Sequence, residues 1–343
     1  MSTILEGVKA INKTVVFTGP GQVTLEESPM PVAGPGQMLI RTTKTLISTG
    51  TELTIFSGEF PKGSAWDGYG QYPFKAGYSN VGEVVEVGEG VDYSWLGKKV
   101  GCSAPHCAFH VKRPEGVIEL PEGIPDEQAA FHALAGIVMN GVRRSRVNWG
   151  ESVVIYGLGL LGQLAARFCA LNGARPVIGV DVSTDRIAML PQVRYLHGLH
   201  GAECNVPEKV KGLTKERMAD IVFEVTGNQQ LINKEFELLK PQGRFVLLSS
   251  PRGATMFDFH DNCNFLSYEI IGAHVCSQPK VETPYNPWTG EHNRELFFRH
   301  IADGDIDVGS LITHREPGER GPEVFGELLA DRSKAMGVIL DWE

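Results

Sequence analysis

The run Ser152-Val153-Val154-Ile155-Tyr156-Gly157-Leu158-Gly159-Leu160-Leu161-Gly162 constrains the fold of this chain more than any other stretch. A β-branched segment ends in glycines spaced G-x-G-x-x-G, at Gly157, Gly159 and Gly162. A helical pattern follows at once: Leu161, Leu164, Phe168 and Leu171 recur at helical spacing, and Asn172-Gly173 stops the run. A second strand, Pro176-Val177-Ile178-Gly179-Val180, ends in Asp181. Glycine spacing alone says little in a chain with 40 glycines. The order strand, glycine turn, helix, strand, acid is what a dinucleotide requires. The glycines let the backbone approach a pyrophosphate, whose charge meets the N-terminus of the helix. Asp181 accepts hydrogen bonds from ribose hydroxyls and repels a 2′-phosphate, so NAD is the expected cofactor rather than NADP. The competing reading is a strand-turn-helix unit that holds no ligand.

A length of 343 residues exceeds one usual core, so two domains are expected. With 42% hydrophobic and 21% charged residues, the chain has the composition of an ordinary soluble globular protein. Net charge is −9 and no long basic run occurs, which argues against nucleic acid or an anionic membrane surface as partner. No window of about 18 apolar residues exists to span a bilayer, and Met1–Lys13 lacks the apolar core of a signal peptide. The cysteines (Cys102, Cys107, Cys169, Cys204, Cys263, Cys276) are scattered, as reduced thiols in a cytoplasmic protein would be.

Along the chain, residues 1 to about 13 read as a peripheral start. From Lys13 to about Leu120 the texture is short strands and turns, pointing to a compact barrel-like domain. Ser48-Thr49-Gly50-Thr51-Glu52 is a polar turn entering a short helix, and residues 57–77 read as an exposed loop rich in Gly, Pro and aromatics. A helix is expected from Asp126 to about Val142. Strands and helices then alternate, with strands at 220–225, 243–248 and 269–273 and a helix from Gln229 to Lys240, as in a parallel sheet covered on both faces. After Cys276 comes a Pro- and Tyr-rich loop, Gln278–Trp288, which either flanks a polar substrate or merely connects the domains. A helix near Arg294–Ala302 and a strand at Gly337–Leu340 follow it.

This arrangement resembles the medium-chain dehydrogenase/reductase superfamily, which has the alcohol dehydrogenase fold. The resemblance covers nearly the whole chain. It is carried by Gly77-Tyr78-Ser79-Asn80-Val81-Gly82-Glu83-Val84-Val85-Glu86-Val87-Gly88, by Gly97-Lys98-Lys99-Val100, by the mid-chain glycine motif with Asp181, by Glu224-Val225-Thr226-Gly227 and by Gly337-Val338-Ile339-Leu340-Asp341-Trp342. Short-chain dehydrogenases differ: they place the glycine motif near residue 1 and need Tyr-x-x-x-Lys, and none of the eight tyrosines here has a lysine four residues on. The resemblance implies an α/β fold, a doubly wound parallel Rossmann sheet (residues 141–276) plus a GroES-like β-barrel catalytic domain (1–140 with 277–343), and a cleft between them. It implies cofactor contacts from Gly157, Gly159, Leu160, Leu161, Gly162, Asp181, Arg186, Val225, Thr226, Gly227 and Ser249. A homodimer paired through the strand near Glu269–Val275 is also implied.

Zinc-dependent members carry a cysteine in an early Cys-Gly-Thr-Asp turn, where this chain reads Ser48–Glu52. They carry Gly-His-Glu where it reads Gly77-Tyr78-Ser79, and a third ligand near His132. No Cys-x-x-Cys of a structural zinc lobe exists. Hydroxyls and a phenol are poor zinc ligands, so no metal is expected. Cys102, His106, Cys107 and His110 form a separate cluster, but strand alternation sends them to opposite faces; core packing is the plainer reading, and His106 is expected to touch substrate or relay a proton.

Without zinc, protein groups must orient an alcohol and take its proton. Thr51, Tyr78, His106 and His132 are the candidates, with both histidines ranked first because imidazole titrates near neutrality. Against these roles stand plainer ones: Thr51 as a helix cap, Tyr78 as filler of the vacated zinc volume, His132 as a core histidine. The expected function is NAD(H)-dependent, zinc-independent interconversion of a secondary alcohol, such as a sugar, cyclitol or other polyol, and its ketone. The alternatives are a quinone- or enoyl-type double-bond reductase and an inactive dinucleotide-binding homologue.

Overall fold

The computed structural model describes residues 11–343. The expectations for a peripheral start and for an absent signal peptide fall largely on residues outside that range. The chain divides into two compact units, one of residues up to Ala133 with Arg294–Glu343, the other Leu134–Asn293. The loop Gln278–Trp288, grouped above with the barrel, thus belongs to the second unit.

The first unit contains β1 (Ile11–Gly19), β2 (Gln22–Pro29), β3 (Met38–Leu46), α1 (Thr51–Ser57), α2 (Ala65–Tyr69), β4 (Phe74–Lys75), β5 (Asn80–Val87), β6 (Lys99–Cys102), β7 (Phe109–Lys112), β8 (Val117–Glu119) and α3 (Asp126–Ala129). After α4 (His132–Ser145) come β9 (Val153–Tyr156), α5 (Leu160–Leu171), β10 (Val177–Asp181), α6 (Thr184–Ala188), β11 (Leu196–His200), α7 (Val206–Leu213), β12 (Ala219–Glu224), α8 (Ile232–Phe236), β13 (Leu239–Leu247) and β14 (Glu269–Gly272). The chain then re-enters the first unit through α9 (Gly290–Ala302), β15 (Ile312–Pro317), α10 (Gly321–Ala330) and β16 (Gly337–Asp341).

In the first unit a small antiparallel sheet, β2-β1-β4, accompanies a larger one ordered β15-β16-β3-β5-β6-β8, with β7 also paired to β3. Phe17 of β1 is the hub of its core, with ring centroids 4.9 Å from both Phe56 of α1 and Phe325 of α10. Such aromatic clusters combine large apolar area with edge-to-face contact, and here they fix α1 against the sheets.

The second unit is a wholly parallel sheet ordered β11-β10-β9-β12-β13-β14. From β9 the chain winds outward through β10 and β11, then crosses to β12 on the other side. The glycine turn after β9 therefore lies at the point where strand order reverses, where such sheets bind ligands. Gly157 takes φ +102°, and a Cβ on Gly162 would stand 1.9 Å from the Gly157 carbonyl oxygen. Helix and strand pack more closely there than any side chain permits.

Three local expectations are corrected. The helix from Asp126 breaks at Ala130–Phe131, because the Ala130 carbonyl accepts the Ser79 hydroxyl. The helix from Gln229 is only Ile232–Phe236, since β13 begins at Leu239 and the residue before Pro241 is disfavoured in a helix. The stretch 57–77 holds α2 and β4, not loop alone. On α5, Leu164 and Phe168 are buried as patterned, but Leu171 is 42% exposed at the fraying end.

Gly162→Ala should overpack the turn at a cost of about 1–3 kcal/mol. It is expected to lower the thermal midpoint and weaken dinucleotide binding in calorimetry; wild-type values for both would refute the close approach.

Candidate active site

In the first unit, the turn between β3 and α1 is built around a buried carboxylate. Glu52 is 1% exposed. Its Oε1 accepts the Ser48 N–H at 2.9 Å, and its Oε2 lies 2.8 Å from His106 Nε2. His106 Nδ1 is 2.8 Å from the Thr45 hydroxyl, which accepts the Trp342 indole N–H at 3.1 Å. The indole can only donate and Thr45 has one proton to give. The chain is satisfied when Thr45 donates to Nδ1 and Nε2–H donates to Glu52. His106 is fully buried with both nitrogens engaged. This corrects the expectation that it touches substrate: it is a brace.

Beside this brace stands a cluster of hydroxyls. Tyr78 donates to Ser48 Oγ at 2.7 Å and also shares a hydrogen bond with Thr51. Burial pushes the Tyr78 phenol up to about 12, the Glu52 charge adding to it and the bonds to Ser48 and Thr51 opposing it. Thr51 is the first residue of α1; the cap is Gly50, and no side chain caps the helix. Tyr69 of α2, 53% exposed, stands near enough to Tyr78 for its charge to be felt there.

His132 does not join this cluster. It is fully buried, its Nε2 lies 3.3 Å from the Asn80 carbonyl, and its Nδ1 has no hydrogen-bond partner. Burial, aided by the Arg294 charge, lowers its pKa to about 3. It is neutral at physiological pH and too weak a base for the proton transfer expected of it. The Cys/His cluster separates as well: Cys102 Sγ meets His110 Nε2 at 3.1 Å, while His106 serves Glu52. Burial pushes the Cys102 thiol up to about 12 and His110 down to about 3, so this is a neutral core pair.

The residues at the zinc-ligand positions do not fit a zinc ion. Ser48 and Tyr78 are neutral hydroxyls bonded to one another, and the Ser79 hydroxyl is spent on Ala130. Zinc sites need thiolate, imidazole or carboxylate donors. Among the described residues no three His, Cys, Asp or Glu side chains are grouped to hold an ion.

In the second unit, α5 starts after Gly159 with no side-chain cap, leaving the first N–H groups, including those of Leu160 and Leu161, for an anion. Asp181 accepts the Leu158 N–H at 2.7 Å and the Ser183 N–H at 2.9 Å, with Arg186 Nη1 3.8 Å away. The acid thus shapes the glycine turn. Across the switch point, Glu224 gathers the next loop: its carboxylate accepts Thr226 N–H and hydroxyl at 2.7 Å, Gly227 N–H at 2.8 Å, and the Ser249 hydroxyl. Val225 N–H is tied back to Tyr156 at 2.9 Å. These residues fit a dinucleotide: free helix N–H groups for the pyrophosphate, a carboxylate for the ribose, and a glycine turn a Cβ would fill.

Comparison with known proteins agrees with this geometry. Residues 161–288 match the family described as zinc-binding dehydrogenase. An L-threonine 3-dehydrogenase of Chelativorans sp. (strain BNC1) is 24% identical, over 93% of this chain and 95% of that protein. Over nearly its whole length the chain is thus similar to dehydrogenases of this kind. Solved structures of like fold include a Sinorhizobium meliloti 1021 protein bound to NADP (TM-score 0.81, 19% identity, 97% of this chain and 99% of that one) and galactitol-1-phosphate dehydrogenase from Escherichia coli (0.80, 19%, 96% and 99%). The fold, a doubly wound parallel Rossmann sheet together with a GroES-like barrel, is that of these structures.

Of the sequence-derived candidates, Thr51 and Tyr78 stand together, His106 lies behind them, and His132 lies apart. Thr45 and Trp342 were missed, and Ser48 and Glu52 were marked without their bonds to each other and to His106. A buried acid four residues after a serine was the one available signal for Ser48–Glu52; nothing in sequence pointed to Trp342. Glu235 of α8 was missed too: it is fully buried and neither carboxyl oxygen has a partner. Burial and the Glu224 charge push it up to about 9. The folded state thus holds a proton that the unfolded chain releases near 4.5, so its stabilisation is complete below pH 4.5 and lost as pH rises toward 9. Glu235→Gln should therefore gain stability on wild type, in urea midpoint, as pH climbs through that window; a constant difference would refute the shift.

Proposed function

We propose that this protein is a nicotinamide-dinucleotide-dependent oxidoreductase that interconverts a secondary alcohol and a ketone at a zinc-free site, with NAD as cofactor and a polyol, sugar or cyclitol as substrate. The Ser48–Tyr78 bond at 2.7 Å carries the reading. Two positions that hold ligands in zinc-dependent relatives are here closed on each other, while the dinucleotide end is intact. When bound, the dinucleotide accepts or supplies hydride at its nicotinamide. The chain's own task is to hold the substrate oxygen and its proton, and Tyr78, Ser48 and Thr51 are the hydroxyls that do so.

NAD is favoured by the Asp181 carboxylate, whose charge opposes a 2′-phosphate; Arg186, the cation that would welcome one, is turned to that carboxylate. The polyol class is supported by the hydroxyl cluster, by the exposed Tyr69 near it, and by a structural neighbour named for galactitol 1-phosphate. Net charge of −9 disfavours nucleic acid, and no helix among the described residues is long and apolar enough to cross a membrane. Cysteines without disulfides suit the cytoplasm.

Metal analysis should find substoichiometric zinc, and turnover of a polyol panel with NAD should survive chelation. Asp181→Asn should cut the NAD-over-NADP ratio of kcat/KM tenfold or more, about 1.4 kcal/mol. Stoichiometric zinc, or a wild-type preference for NADP, would overturn the corresponding part of the reading.

A homodimer through β14 completes the proposal. That strand closes one end of the parallel sheet, its outer edge unpaired among the described residues, with Ile270 41% exposed and Phe259, Phe265 and Val275 exposed nearby. Light scattering should give a dimer for wild type and a monomer for Ile270→Lys; a monomeric wild type would end the idea.

A further inference from the structure

The hydroxyl cluster of the first unit has protons to give and no base to receive one. Three hydroxyls, those of Ser48, Thr51 and Tyr78, stand together, and the phenol donates to Ser48 Oγ at 2.7 Å. The phenol proton is spent on Ser48, so the O–H left for a further acceptor is that of Ser48, which is itself buried. Tyr78 and Thr51 are each partly exposed, so the cluster reaches solvent. Every group that would serve as base is occupied or turned away. Glu52 spends one oxygen on the Ser48 N–H and the other on His106. His106 is closed by Glu52 and Thr45, and the brace ends at an indole, which cannot pass a proton on. His132 is bonded toward Asn80.

We infer that this cluster works as a proton donor to a carbonyl oxygen, and that the reaction the site is built to favour is ketone reduction rather than alcohol oxidation. The inference rests on the zinc-free alcohol–ketone reading above and adds its direction and its acid. The electrons come from reduced nicotinamide dinucleotide. The carbonyl carbon gains hydride as the C=O π bond opens, the oxygen takes the Ser48 hydroxyl proton, and the phenol proton of Tyr78 moves onto Ser48. Solvent refills the vacancy. Zinc enzymes lower the alcohol's own pKa; this site instead presents preformed donors where negative charge develops on oxygen. The titratable groups facing Tyr78 are Glu52 on α1 and Tyr69 on α2. Both disfavour a phenolate, so the donor keeps its proton through the neutral range.

The test compares wild type, Tyr78→Phe and Ser48→Ala. Ultraviolet titration of the dinucleotide-free proteins, read as wild type minus Tyr78→Phe, should show no phenolate from Tyr78 at neutral pH and its appearance only in strongly alkaline solution. With a panel of sugar ketones and the matching polyols, reduction should be flat in pH between 6 and 9 (about the range where imidazole would titrate), and oxidation should climb throughout without a plateau. Tyr78→Phe should lose tenfold or more of reductive kcat, with dinucleotide affinity by calorimetry unchanged, and Ser48→Ala should lose at least as much. A phenolate near neutral pH, or an oxidation profile with a plateau near pH 7 that survives in Tyr78→Phe, would overturn the inference and leave the dehydrogenase reading standing. Wild-type turnover in neither direction, with the dinucleotide bound, would overturn both.

Discussion

The first unit depends on one buried carboxylate. Glu52 has almost no contact with solvent, and a charge so placed is tolerable only if its hydrogen bonds are complete. Its partners come from separate parts of the chain: Ser48 from the turn before α1, His106 from the segment before β7, and behind His106 both Thr45 of β3 and Trp342 beyond β16. Loss of the acid would leave a backbone N–H and an imidazole unanswered at once. The position of Ser48, and through it of Tyr78, follows from that accounting.

The Rossmann side uses the same device. Glu224 ends β12 and draws Thr226, Gly227 and Ser249 into one place, while Asp181 ends β10 and holds the glycine turn. In both units a carboxylate next to a turn shapes its backbone, at the start of α1 in the first and at strand ends in the second. Negative charge is held by oriented N–H groups, which need no reorganisation when a ligand arrives.

Much of this fold was legible in the sequence because the deciding signals are local. Glycine spacing, the switch from alternating to helical apolar pattern, and the acid after the second strand are all short-range, and they located β9, α5 and β10 correctly. The candidate site was only half legible. Ser48 and Tyr78 were marked by their place in motifs, but their bond joins residues 30 positions apart. The histidines were misjudged for a physical reason: chemistry assigned by residue type assumes the solvated pKa, whereas His132 is buried with its Nδ1 unpartnered and His106 is locked between partners. Burial decides protonation, and burial belongs to tertiary structure. The overextended helix after Gln229 failed similarly, because a strand ladder with β12 claimed Leu239.

The bond between Ser48 and Tyr78 has an evolutionary consequence. A cysteine facing tyrosine, or a serine facing histidine, makes neither a metal site nor a closed hydroxyl pair. Single changes at either position pass through a half-made site, so the two residues form one inheritable character.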